Sequence, residues 1–318
     1  MHIQVYIIHS TLLEIRKQKM STLTDILEKS EHAKFDVEYI TEFDSNAIKD
    51  TDIKDFISLS KKNDGEIYDF LVKNLHLNQA SNVIKHAVAI KKASESMADF
   101  CLILEDDVLH ADEVDTKLVD ICNKMTDEMD LMFLGLPSLS PITESEIKKT
   151  SEFYKMFPSC DSYIAKPHIF GKMKAGMYPI RHVANIMLSY VTSTQGISTY
   201  MTVPNIFLDG SKYGTYLSAV DPNNHLIYNP DLGKLVMKIQ DIDCFSQEIE
   251  DEFENIKFKN HPDVMHLNAT YHIKKKDYKK AEAILENCLN VVQQNGCIVN
   301  SETDILKSYI RLHRYLQV

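Results

Sequence analysis

The sequence predicts an α/β domain followed by a small helical extension, and three observations carry that prediction. Strand and helix patterns alternate from the first residue. A buried-type strand runs straight into three adjacent carboxylates at 105–107, and the chain after Pro262 is helical in pattern and free of proline.

The opening Met-His-Ile-Gln-Val-Tyr-Ile-Ile-His-Ser reads as a strand over 3–9, followed by an amphipathic helix near 11–29 and a strand at 36–40. Residues 44–74 are polar and charged, with a turn signal at Asn63-Asp64-Gly65. Ala80, Val83, Ile84, Ala87, Val88 and Ile90 repeat at helical spacing within 78–97, so a helix precedes the strand that ends in the acidic triplet. A helix near 112–125 and a short buried strand at 130–135 follow. Five prolines between 136 and 182 (137, 141, 158, 167 and 179) predict long active-site loops there rather than regular structure. An apolar helix or strand near 183–191, Gly196, an apolar stretch from Val203 to Asp209 and turn-rich residues 210–233 complete the first domain, assigned to 1–245. The acidic run at 247–254 marks the boundary, and 246–318 forms the extension. Within it, Ala269, His272, Tyr278, Ala281, Leu285 and Cys288 fall near the small and large positions of a tetratricopeptide-type hairpin. A single repeat does not bury its own face, so a plain helical cap is the simpler reading; the same apolar periodicity suits a homodimer interface.

A chain of 318 residues, 44% of them hydrophobic, buries a sizeable core. The net charge of −11 argues against a nucleic-acid or anionic-membrane binder, whose affinity rests on Lys and Arg. Six cysteines show no C-x-x-C pair and no framework spacing, which predicts reduced thiols in a cytoplasmic compartment. The first strand is too short and polar-flanked for a signal peptide, and no apolar stretch approaches the roughly 20 residues of a membrane span. A soluble protein without an integral membrane segment is expected.

Phe-Cys-Leu-Ile-Leu-Glu-Asp-Asp-Val at 100–108 carries the chemistry. Adjacent carboxylates at a strand end repel unless a cation offsets them, and Mg²⁺ or Mn²⁺ prefers oxygen ligands while sharing its shell with substrate phosphates. Ligands of open α/β sheets bind at the carboxyl ends of strands, where these residues would lie. A solvated acidic loop is the alternative, and the apolar run ahead of the triplet counts against it.

These residues resemble the glycosyltransferase family that includes bacterial lipooligosaccharide and animal procollagen galactosyltransferases, glycosyltransferase family 25, of GT-A fold. Ile103 to Val108 is identical to the commonest form of its acidic motif, and Ile7-Ile8-His9-Ser10 through Arg16 and Met20 aligns with its opening strand and Arg-rich helix, His9 replacing an Asn. Lys85-His86 stands where the family carries Ser-His. Asp130 to Gly135 is similar to its next strand, Tyr190 to Gly196 to its Tyr-x-x-Ser-x-x-Gly segment, and Leu208-Asp209 to its later apolar-Asp element. The similarity spans about residues 3–232 and leaves out the terminal helices.

The resemblance implies transfer of a hexose, galactose or glucose, from a UDP-sugar to a hydroxyl of a glycan or protein acceptor, with inversion. It implies a divalent metal held by Glu105 and Asp107, with His225 as a late third ligand, and donor contacts from Ile8, His9, Arg16, His86 and Asp106. Asp209 is the implied base, with Asp161 and Asp221 as rivals, and Tyr163, Lys166 and His168 are candidates to meet the acceptor. Two other classes remain: a catalytically silent binding subunit, and a metal-dependent nucleotidyl or phosphoryl transferase. The latter needs a phosphate-cradling Gly-rich loop, and none is visible among nine glycines.

Overall fold

The structure, a computed structural model, describes residues 1–48, 77–136, 146–152, 156–180, 182–211, 235–239, 246–256, 259–260 and 262–295. His225, Asp221 and the turn at 63–65 lie outside the described residues. The described residues fall into two compact units, one holding those up to Ser211 and the other those from Leu235 onward.

The first unit opens with β1 (His2–Ile8), α1 (Glu14–Glu28) and β2 (Lys34–Ile40), then α2 (Leu77–Ser94), β3 (Phe100–Glu105), β4 (Val108–His110), α3 (Val114–Lys124) and β5 (Leu131–Phe133). It continues with β6 (Glu146–Lys149), β7 (Ser162–Ala165), α4 (Pro167–Met177), α5 (Ala184–Thr194), β8 (Thr199–Val203) and β9 (Phe207–Asp209). Among the described residues the strands form a seven-stranded sheet in the order β2-β1-β3-β7-β5-β8-β6, beside a two-stranded β4-β9 ribbon. The sheet is mixed. β2, β1 and β3 run parallel, β7 is antiparallel to both β3 and β5, β8 is parallel to β5, and β6 closes the edge antiparallel to β8.

Alternation along the strands sorts the helices into two layers. Ile3, Val5 and Ile7 of β1 and Leu102 and Leu104 of β3 share a core with Met20, Leu23 and Leu27 of α1 and Val114, Leu118 and Ile121 of α3. On the opposite face the Cys101 thiol reaches the Ala93 carbonyl of α2 at 3.6 Å. Helix α2 packs on β1 and also against α4 and α5.

The stretch from 136 to 182 departs from the loop expectation, because it contains β6, β7 and α4. Pro167, read as a loop marker, sits at the start of α4, where its fixed φ suits the first turn and its missing N–H costs nothing. β7 is fully buried between β3 and β5. Residues 183–191, left open between helix and strand, lie at the start of α5 and within it. Gly196, in the family-like segment, ends that helix: at φ 64° it lets Ile197 N–H reach the Thr192 carbonyl at 2.9 Å and its own N–H the Ser193 carbonyl at 3.4 Å.

The second unit contains α6 (Gln247–Asn255), α7 (Pro262–Lys274) and α8 (Tyr278–Asn295). Ser246 caps α6 by accepting from Ile249 N–H. Helices α7 and α8 form a hairpin whose seam buries Met265, Ala269, Ala281, Leu285 and Cys288, and Lys276 at φ 64° makes its turn. The helical extension is present; a tetratricopeptide relationship is not established by one hairpin. No helix among the described residues is long and apolar enough to cross a membrane.

Candidate functional site

The parallel register of β1 and β3 places Ile8 opposite Glu105, so the loop beginning at His9 and the acidic triplet leave the sheet side by side. A cavity of about 240 Å³ opens there, near the lower end of small-molecule sites (roughly 300–1,000 Å³). Ile8, His9, Arg16, Glu105, Asp106, Asp107 and Asp209 all line it. Asp209 arrives on β9, which pairs with β4 so that Val108 faces Asp209, while Gly210 N–H donates to the Asp107 carbonyl at 2.8 Å. The first two turns of α2, with Asn78, Ser81 and Asn82, and the start of α5, with Ala184 and Asn185, complete the wall. Helix α5 has no side-chain cap, so its N-terminal N–H groups and positive dipole end suit an anion.

The three carboxylates have different surroundings. Asp106 is enclosed by donors: Arg16 Nη1 reaches Oδ1 at 2.7 Å, and His9 Nδ1 and Ser10 N–H reach Oδ2 at 2.7 and 3.4 Å. It joins the β1–α1 loop to the end of β3. Asp107 is buried, its Oδ2 is 3.3 Å from Arg16, and its Oδ1 has no hydrogen-bond partner. Burial, then the Asp209 charge, pushes the Asp107 carboxyl well above its usual range, and Arg16 only partly opposes this. Burial alone would lower the Arg16 pKa, but Asp107 and Asp106 raise it instead. Glu105 turns away from the other two. His86 Nε2 lies 3.0 Å and Cys160 Sγ 3.5 Å from its Oε1, and although burial favours the neutral acid, His86, Asn82 and Cys160 hold its carboxyl below the usual range.

Two groups outside the expected site residues, Lys85 and Asp44, fix the loop that begins at His9. Lys85 and Asp44, 2% and 5% exposed, form a buried ion pair. Lys85 Nζ also donates to the His9 carbonyl at 2.5 Å, and Asp44 Oδ2 accepts from Thr11 N–H at 3.0 Å. Asp44 lay in a stretch read only as polar. Lys85 carried a readable signal, a lone cation among the apolar residues 80–90 of a helix.

His86 is fully buried behind Glu105 rather than at the cavity surface. Tyr163, an expected acceptor contact, is instead a core residue of β7 whose OH lies 2.9 Å from His86 Nδ1. Lys166 pairs with Asp127 at 3.1 Å, His168 belongs to α4, and neither lines the cavity. Asp161 is 2% exposed and bonded to Ser159, with its backbone carbonyl accepting from Glu105 N–H at 2.8 Å, which leaves it unsuited to meet an acceptor.

No family model matches the chain, and no curated protein matches it. Among solved structures, that of S. aureus TarS 1-349 aligns over 100% of this chain and 91% of its own, at 11% identity and a TM-score of 0.38. A likeness of that degree assigns neither fold nor activity.

Proposed function

We propose that the chain is a metal-dependent glycosyltransferase of GT-A type, akin to glycosyltransferase family 25, that moves a hexose from a UDP-sugar to an acceptor hydroxyl on a glycan or protein. The observation that carries this reading is Asp107: a buried carboxylate with an uncommitted Oδ1, beside Asp209, in a cavity at the carboxyl ends of two parallel strands. A buried, unsatisfied oxygen in a crowd of negative charge is the environment of a ligand for Mn²⁺ or Mg²⁺. Asp107 would hold that ion, with Glu105, whose Oε1 is turned to His86 and Cys160, contributing only through water, and the ion would supply neutralising charge to the departing diphosphate.

The chain's own groups have separate tasks. Arg16 and His9, fixed by Asp106, hold the β1–α1 loop against the donor, and His9 Nε2, buried without a hydrogen-bond partner, is available to it. The start of α5 favours the diphosphate. Asp209, partly buried and accepting at Oδ1 from Ser211 N–H at 3.0 Å, would take the acceptor proton in an inverting displacement. Release of UDP should be measured over a panel of UDP- and GDP-sugars with Mn²⁺, Mg²⁺ or EDTA. Metal-dependent release from one UDP-sugar, abolished in Asp107→Ala, is expected. Silence across the panel, with no thermal shift from UDP and Mn²⁺, would replace this reading with that of a binding subunit.

A further inference from the structure

Behind the carboxylate cavity, three ligand atoms from distant parts of the chain converge. His86 Nε2 on α2, Glu105 Oε1 at the end of β3 and Cys160 Sγ before β7 all lie within 4.8 Å of one another. They are the one such group among the described residues. Their separations are 3.0 Å between nitrogen and oxygen, 3.6 Å between sulfur and nitrogen, and 3.5 Å between sulfur and oxygen. Around an ion held tetrahedrally at about 2.3 Å from sulfur and about 2.0–2.1 Å from nitrogen and oxygen, the edges containing sulfur span about 3.5–3.6 Å and the nitrogen–oxygen edge about 3.3 Å. Both sulfur edges already have that length, and the third is shorter, as befits a hydrogen bond that an ion would replace.

The surroundings match such a site. Tyr163 OH, fully buried, lies 2.9 Å from His86 Nδ1. With the imidazole proton on Nδ1 directed to that oxygen, Nε2 presents its lone pair to the other two ligands, the usual outer arrangement of a metal-bound histidine. Glu105 and Cys160 both line the cavity, so a fourth position faces it. We propose that His86, Glu105 and Cys160 form a second metal site, for Zn²⁺ or a similar borderline-soft divalent ion, with its fourth position open to water or an anionic oxygen. Imidazole, thiolate and carboxylate together select Zn²⁺, Co²⁺ or Ni²⁺ over Mg²⁺ and Mn²⁺. Binding releases the Cys160 thiol proton and leaves the oxygens of Asp107 and Asp209 to the harder ion. The site does not depend on glycosyl transfer.

The test uses the full chain, stripped with chelator and titrated with Co²⁺ in the absence of nucleotide. One equivalent should produce a thiolate-to-cobalt charge-transfer band together with the intense visible bands of a four-coordinate ion. Cys160→Ser should abolish the charge-transfer band while retaining the far-ultraviolet circular dichroism of the parent, and Tyr163→Phe should keep the spectrum but weaken Co²⁺ binding by about 10–100-fold. Absence of the band at one equivalent, or its persistence in Cys160→Ser, would overturn the assignment in favour of a hydrogen-bonded triad or a different thiol. Should Cys160→Ser not fold, X-ray absorption of the Zn²⁺-loaded parent decides. One sulfur at about 2.3 Å with nitrogen and oxygen neighbours supports the site, and a shell of nitrogen and oxygen only refutes it. Asp107→Asn should leave the cobalt spectrum intact, so this site and the proposed transferase chemistry stand or fall separately.

Discussion

Adjacent carboxylates in this chain should act oppositely on stability, because one is enclosed by donors and the other is buried beside like charge. Asp106 is paired with both Arg16 and His9, so Asp106→Ala takes a close carboxylate from two buried side chains, although Arg16 keeps Asp107 at 3.3 Å. A loss of about 3–5 kcal/mol in urea unfolding is expected, the usual cost of removing one partner from a buried pair. Asp107 is the reverse case, since its carboxyl is raised by burial and by Asp209. A group whose folded pKa exceeds its unfolded value costs no stability at low pH and begins to destabilise as pH rises above the unfolded value, about 3.9. Asp107→Asn should therefore be as stable as the parent near pH 4 and more stable at pH 7, while losing metal-dependent UDP release. Thermal unfolding of both proteins across that range checks this; a variant less stable than the parent at pH 7 would contradict the repulsion argument. Such a trade of stability for function is common at binding sites. The acidic residues were legible in the sequence because an apolar run led into them. The division of labour among them was not, because it depends on Arg16, His9, His86 and Cys160, which the chain brings in from 90, 97, 19 and 55 residues away.

At the scale of elements, β1, β3 and α2 were readable because β1 and β3 are largely apolar runs and α2 repeats its apolar face over several turns, whereas the three-residue β4 was not. β7 escaped because four residues between Asp161 and Lys166 carry too little periodicity, and two neighbouring prolines suggested loops. What holds β7 in register is partly Gly135. A methyl group there would meet Asp161 Oδ2, lie 2.6 Å from Ser162 Oγ and 3.2 Å from the Phe207 carbonyl. Asp161 carries the carbonyl that accepts from Glu105, so displacement there is passed to the site. Gly135→Ala should cost about 1–3 kcal/mol, the usual range for overpacking, and should also weaken donor binding. Gly196→Ala is the control. It has nothing within 4 Å, so only the left-handed backbone opposes it, at roughly 1–2 kcal/mol, and donor affinity should be unchanged. Calorimetry of both variants, with titration of UDP and Mn²⁺, separates the two effects; equal donor affinity in Gly135→Ala would show that Glu105 is not positioned through Asp161.

For the whole molecule, the acid limb of stability follows from which carboxylates are depressed. Asp36 and Glu95 are lowered by lysines but are largely solvent-facing, and exposed pairs of that kind contribute little. The larger contribution falls to buried groups. Burial opposes ionisation of Asp44, yet Lys85 and Thr11 hold its carboxyl below the usual range, and Glu105 is held down in the same way by His86 and Asn82. A folded pKa below the unfolded value gives stability that is complete above the unfolded pKa of about 4 and is lost as pH falls through the folded one. Stability should thus decline steeply below about pH 4. Lys85→Met tests how much of that decline belongs to one pair. With its cation gone, Asp44 remains buried against Thr11 alone, neutral-pH stability should fall by about 3–5 kcal/mol, and the Asp44 carboxyl should move up toward or beyond its unfolded value. The variant should then be less stable at pH 7 and show a shallower loss between pH 5 and 3, because the proton that Asp44 takes up on unfolding in the parent is already bound in the fold. Denaturant titrations at several pH values give that slope directly. A parallel downward shift with an unchanged slope would mean that the Lys85–Asp44 pair supports the entry loop by packing and hydrogen bonding, and that the acid limb is set elsewhere.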